Sequence, residues 1–212
     1  MILQINAEHP QPRRIEQICD TLKDGGIVAY PTDTVYGLGC DIFNKQAVEK
    51  LRQLIRQIKG DDVTASPLSF ICKDLSNISE YAFVDDYAYR TLRRMLPGPY
   101  TFVLEATKLV PTVMRNKRKT VGIRVPDSPI PQAIVERLGN PVANSSATDR
   151  DGDLIPDPWT IEELYGHAVD LIIDGGYVFP EPSTVLDFSQ QPPQLLREGK
   201  GPVGDLDFVE LI

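Results

Sequence analysis

Short apolar runs alternate along nearly the whole chain with longer segments whose apolar residues recur at helical spacing. That alternation restricts the fold more than any other feature. A strand run buries its apolar face against helices, and the helices in turn bury one stripe, so the sequence implies a layered α/β (α+β) sheet. Strands are expected at 2–5, 27–30, 68–72, 101–105, 120–125, 142–145, 171–174, 185–188 and 194–197. Helices are expected at 13–23, 45–58, 87–96, 129–138 and 161–166, with a short turn or helix over 111–114. In the first helix Ile15, Ile18, Cys19 and Leu22 share one face, and Gly25 closes it. In the second, Val48, Leu51, Leu54, Ile55 and Ile58 share one face, and Lys45, Lys50, Arg52 and Arg56 the other. The polar stretch 60–66 is expected to be a mobile loop, and 144–158, rich in Asp, Gly and Pro, another. No repeat, heptad array or low-complexity linker interrupts the pattern, and 1–212 is read as one domain.

Residues 25–39 are the most informative local stretch. A Gly pair ends a helix, Ile27 to Tyr30 forms an apolar strand, and Pro31 opens a segment of hydroxyl and Gly residues. Thr32 and Thr34 offer hydroxyls and Asp33 a carboxylate. Gly37 and Gly39 permit close backbone approach or positive φ. This layout fits a ligand site at the end of a buried strand, and equally a tight strand-to-loop turn. Arg124 poses a similar alternative. It interrupts an apolar strand just before Pro126, where it either faces solvent by alternation or presents a planar fork to a carboxylate or phosphate in a cavity.

Further motifs follow in order: Pro97-Gly98-Pro99-Tyr100-Thr101, Thr120-Val121-Gly122-Ile123-Arg124-Val125-Pro126, Ser145-Ser146-Ala147, Ser183-Thr184-Val185-Leu186-Asp187 and Leu196-Arg197-Glu198-Gly199. With the 25–39 stretch they resemble the signature set of the YrdC-type family, which includes the threonylcarbamoyl-AMP synthases. The resemblance implies a twisted mixed sheet with flanking helices around a basic concave cavity. It implies an enzyme that joins L-threonine, bicarbonate and ATP into threonylcarbamoyl-AMP plus pyrophosphate, for tRNA threonylcarbamoyladenosine modification. Mg²⁺ would accompany the ATP, with no tightly bound metal. By the same resemblance Arg124 and Ser183 bind the amino acid, Thr34 lines the pocket, and Ser146 and Arg197 serve the nucleotide.

Two departures bear on activity. The family's Thr-Ser-Ala-Asn motif ends here in Thr148, which keeps one hydroxyl and lacks the paired donor and acceptor of an amide. The Lys-x-Arg pair of the synthases becomes Arg56-Gln57-Ile58. Such a pair gathers anionic charge and stabilises acyl-phosphate chemistry. Arg56 keeps the catalytic role on bicarbonate or phosphate, Ile58 cannot share it, and Lys59 stands one residue further on. The motif is expected to lie outside the core. These changes resemble the YciO-like branch, and they leave open a nucleotide- or double-stranded-RNA-binding module of the same fold without efficient synthesis.

Composition bounds the partners. The formal charge of −8 makes the whole molecule no electrostatic magnet for nucleic acid. Two basic clusters, Arg90, Arg93 and Arg94, then Arg115, Lys117, Arg118 and Lys119, suit phosphates of ATP or of tRNA or double-stranded RNA locally. Asp149, Asp151 and Asp153 lack the spacing and terminal Glu of a calcium loop. Three scattered Cys and two His give no zinc pattern. The odd Cys count and the absence of a leader-like N-terminus point to the cytoplasm, and no apolar run reaches the roughly 18–20 residues that span a bilayer.

Overall fold

The computed structural model describes residues 1–60, 68–204 and 210–211. All but Gly60 of the loop expected at 60–66 lies outside them. The strands are β1 (Ile2–Gln4), β2 (Val28–Tyr30), β3 (Gly37–Asp41), β4 (Ser69–Ile71), β5 (Tyr100–Glu105), β6 (Thr120–Arg124), β7 (Val142–Ser146), β8 (Leu171–Asp174), β9 (Thr184–Asp187), β10 (Gln194–Arg197) and β11 (Glu210–Leu211). They form one mixed sheet, in the order β1-β8-β2-β3-β7-β4-β6-β5-β9-β10-β11. The helices are α1 (Pro12–Lys23), α2 (Lys45–Lys59), α3 (Leu75–Tyr81), α4 (Asp86–Met95), α5 (Pro129–Leu138) and α6 (Pro158–Tyr165). A 3-10 turn covers Thr112–Met114.

The helices begin where short polar side chains cap them. Asn44, Asp74, Asp85 and Asp157 accept hydrogen bonds from the first-turn N–H groups of α2, α3, α4 and α6. Each such cap contributes about 1 kcal/mol. The Asp157 cap starts α6 three residues before the apolar periodicity does.

Three elements escaped the periodicity. α3 and the two-residue β11 are too short to show a pattern, and β3, Gly-Leu-Gly-Cys-Asp, starts within the 25–39 stretch that the sequence leaves open between a ligand site and a strand-to-loop turn. β3 is buried along its length and antiparallel to both β2 and β7. A Cβ on Gly39 would stand 2.6 Å from the Ala143 carbonyl oxygen and 2.9 Å from the Tyr30 ring. Glycine is needed there so that protein can approach, and neither Gly37 nor Gly39 has positive φ.

The sheet has a core on each face. α1 and α5 cover Val28, Tyr30, Ile71, Val142, Leu171 and Ile173. On the other face a larger core joins α2, α3, α4 and α6 to Ala29, Leu38, Phe70, Phe102, Ile123, Ala143 and Leu186. The strands near the sheet centre therefore alternate. Phe70, Phe102, Ile123, Ala143 and Leu186 point into the larger core, while their neighbours Ser69, Thr101, Gly122, Asn144 and Val185 line a cavity on the opposite face. α1 and α5 cover one end of that face, and the cavity occupies the part beyond them.

Candidate active site

The cavity measures about 740 Å³. Small side chains make its floor: Ser, Thr, Gly and Asn there leave the volume that the aromatic and branched residues of the opposite face fill. Arg124, Arg150 and Arg197 line it, with Asp151 the acidic residue among them, as do Ser146, Thr148 and Ser183. Tyr30 belongs to the core under α1 and α5 and meets the cavity lining through Asn144. Its ring lies over Gly37 and Gly39, and its hydroxyl donates to Asn144 Oδ1 at 2.8 Å. Burial pushes the Tyr30 hydroxyl far above its ordinary pKa, so it remains a donor.

Arg124 ends β6 with 3% of its surface exposed. Nη2 donates to Asp33 Oδ1 at 2.8 Å and to Thr34 Oγ1 at 2.9 Å. Asp33 Oδ2 in turn accepts from the Asp127 N–H at 3.1 Å. Nε is buried without a hydrogen-bond partner among the described residues. An unsatisfied buried N–H of this kind costs about 1–3 kcal/mol, and an anionic ligand oxygen would remove that cost. Burial lowers the Arg124 pKa, and the Asp33 carboxylate works against the lowering.

Arg197 Nε and Nη2 donate to the Ser183 carbonyl at 3.0 and 2.8 Å, and Nη2 reaches Ser183 Oγ at 3.1 Å. Ser183 Oγ also shares a hydrogen bond with Thr101 Oγ1 at 2.8 Å. These partners are neutral, so the positive charge of Arg197 is not offset by them. Its pKa is lowered by burial first and by the Arg124 charge second. The cavity thus holds in Arg197 a cation whose hydrogen-bond partners are all neutral, and in the same cavity the Thr148 Oγ1, buried and unpartnered among the described residues. Geometry of this kind selects a ligand with anionic and hydrogen-bonding groups.

A family model described as "Telomere recombination", built on Sua5, YciO and YrdC proteins, matches residues 20–199. The chain belongs to the Sua5/YciO/YrdC family. It is 40% identical over 201 residues to Escherichia coli strain K12 YciO, an uncharacterized protein, covering 94% of this chain and 95% of that one. The crystal structure of E. coli YciO superposes with a TM-score of 0.90 over 96% of this chain and 98% of that one. A threonylcarbamoyl-AMP synthase of Vibrio vulnificus strain YJ016 is 31% identical over 189 residues, 87% of this chain and 98% of that protein. P. abyssi Sua5, solved in complex with L-threonine, has a TM-score of 0.89 at 28% identity, over 100% of this chain and 62% of that one.

Within the Sua5/YciO/YrdC fold, the residues singled out from sequence separate into two groups. Arg124, Ser146, Thr148, Ser183 and Arg197 line the cavity together. Thr34, fully buried, reaches it indirectly, as an acceptor for Arg124. The second group is elsewhere. Arg56 is exposed on α2 and does not line the cavity. The apolar stripe of α2 packs into the larger core, across the sheet from the cavity, and Ile58 is part of that stripe at 5% exposed. The expectation that this motif lies outside the core is therefore corrected: Ile58 is a core residue. The Lys59 side chain lies outside the described residues.

The basic clusters also sit apart from the cavity. Ala88 and Leu92 seat α4, with Arg90, Arg93 and Arg94, on the larger core. Arg115 is not free for a phosphate: Nε donates to the Val110 carbonyl at 2.9 Å and Nη2 to the Lys108 carbonyl at 2.9 Å. Lys117, Arg118 and Lys119 are exposed in the turn before β6, at the other end of the strand from Arg124. The expected loop at 144–158 begins as β7 and continues as a hairpin in which Thr148 pairs with Leu154. Sequence reasoning missed Tyr30 and Arg150, and it offered Asp33 without a partner. The alternation of small polar with apolar residues in β4, β5 and β6 was the signal for the floor.

Among the described residues no helix is long and apolar enough to cross a membrane.

Proposed function

We propose that this chain binds L-threonine and ATP in the cavity and, with bicarbonate, forms threonylcarbamoyl-AMP slowly. The observation that carries this reading is Arg124: a buried guanidinium with an orphaned Nε, facing Ser183 and Arg197 across one cavity. The threonine carboxylate suits the free edge of Arg124 and the Ser183 hydroxyl. The nucleotide suits Ser146, Thr148 and Arg197. The chemistry joins the threonine nitrogen to the bicarbonate carbon with loss of water. A carboxylate oxygen of that carbamate then attacks the α-phosphorus of ATP, and the α–β phosphoanhydride bond breaks to release pyrophosphate. Mg²⁺ enters as part of the ATP substrate. This chain's own contribution is to hold the reacting groups together and to place cations where charge accumulates. The names of the 31%-identical synthase and of the threonine-bound Sua5 support the substrate classes.

A second reading, a nucleotide- or RNA-binding module without efficient synthesis, draws support from α2. Ile58 is in the core and Arg56 outside the cavity, so neither supplies charge to a transferring phosphoryl group. One assay separates the two. Pyrophosphate release and adenylate formation are measured with ATP, bicarbonate and threonine, then without threonine. Threonine-dependent release supports the enzyme; ATP binding with no threonine-dependent release supports the module.

A further inference from the structure

The cavity contains a cation that the motifs do not account for. Arg150 stands at the tip of the hairpin that follows β7, and it lines the cavity with Asp151 and Gly152. The hairpin is closed by paired backbone. Ile155 N–H donates to the Ala147 carbonyl at 3.1 Å, Thr148 pairs with Leu154, and Asp149 N–H donates to the Asp153 carbonyl at 2.9 Å. Gly152 turns the chain at φ +92°, a conformation that side chains rarely adopt. The Asp149 carboxylate locks the tip from within, since Oδ1 accepts from the N–H groups of Asp151 and Asp153, each at 2.9 Å. The tip is ordered before any ligand arrives, which reduces the entropy lost on binding.

The guanidinium itself is uncommitted: among the described residues the Arg150 side chain has no hydrogen bond or ion pair. The other two cations of the cavity are engaged, Arg124 by Asp33 and Thr34, and Arg197 by Ser183. Arg56, the cation near the end of α2, does not reach it. We propose that the hairpin tip is the triphosphate end of the nucleotide site, and that Arg150 takes phosphate oxygens in place of the cation replaced by Ile58. The proposal rests on the reading of ATP as the nucleotide. Asp149 and Asp153 flank the tip and Asp151 lines the cavity, so the local field disfavours a bare polyphosphate. The Mg²⁺ carried by ATP offsets those carboxylates.

The test is calorimetric titration of the full chain with ATP and with AMP, both in Mg²⁺, for the native protein, Arg150→Ala and Arg150→Lys. Removing one charge-assisted hydrogen bond to the triphosphate should weaken ATP binding about tenfold or more in Arg150→Ala. AMP affinity should stay at the native value, and Arg150→Lys should recover part of the ATP affinity. Native ATP affinity in Arg150→Ala overturns the proposal. An equal loss of ATP and AMP affinity overturns it too, because the tip would then act on the nucleoside or on the fold of the hairpin. A native protein that binds neither nucleotide overturns the ATP reading on which the proposal rests.

Discussion

Among single residues, the cavity depends most on one buried ion pair. Arg124 and Asp33 have side chains 4% and 9% exposed, so both charges have left water and each depends on the other. Asp33→Asn should lower the unfolding free energy by about 3–5 kcal/mol, since it leaves a buried guanidinium without counter-charge. Urea denaturation checks this, and a change under about 1 kcal/mol, the size typical of an exposed pair, would show that solvent reaches it. Arg124→Lys tests recognition without deleting the charge. Lysine lacks the planar fork and cannot serve Asp33, Thr34 and a ligand carboxylate at once. Threonine affinity should fall about tenfold or more, and calorimetry giving equal affinities would remove Arg124 from the amino-acid site.

Among the elements, β-strand alternation builds the site and helical periodicity builds its support. α2 makes the point. Its stripe of Val48, Leu51, Leu54, Ile55 and Ile58 was plain in the sequence, and it is the stripe that packs. Ile58 was also the position where a cation was missed. Restoring that charge is therefore a core substitution. Ile58→Arg should cost about 2–4 kcal/mol of stability, from the apolar burial removed plus the desolvation of a charge. Thermal unfolding should show the drop, and the rate of threonylcarbamoyl-AMP formation should not rise. A stable, faster variant would mean that the α2 terminus reaches the cavity during turnover. β3 was illegible for the opposite reason: its glycines carry no side-chain pattern, and the need for them lies in Tyr30 on the neighbouring strand and in Ala143, distant in sequence and adjacent in the sheet.

Across the whole molecule, charge and burial set the response to solution conditions. Burial pushes the Cys19 thiol from its usual 9.0 to about 11 and the Cys40 thiol to about 12, and raises Cys72 as well. The native state keeps these protons at a pH where the unfolded chain releases them. Stability should therefore hold through neutrality and fall as pH rises above about 9, by up to about 1.4 kcal/mol per pH unit for each thiol. Cys40→Ala should flatten the decline in urea midpoints between about pH 9 and 11; an unchanged slope would assign the decline to other groups. With a net charge of −8, RNA binding must be local. Arg115 braces its own turn, so the test cluster is Lys117→Ala, Arg118→Ala and Lys119→Asn, the last because Lys119 has φ +59°. The combined variant should flatten the dependence of log K on log salt by roughly 0.9 for each phosphate no longer neutralised, and an identical slope would place RNA elsewhere.

The alternation of strands and helices, the stripes that pack α1, α2 and α5, and the order of the motifs could all be read from the chain alone, because each is a local pattern of period two or 3.6. Arg124, Ser183, Ser146, Thr148 and Arg197 could be named from it as a set. Their convergence on one cavity is a product of folding, since β5, β6, β7, β9 and β10 meet in an order the chain does not follow. The same folding decided that Asp33 neutralises Arg124, that Arg56 and Ile58 belong to a helix across the sheet from the cavity, and that Arg150 enters it. Those outcomes depend on which face of the sheet each element covers, and a linear pattern records a residue's periodicity without recording the neighbour it will meet.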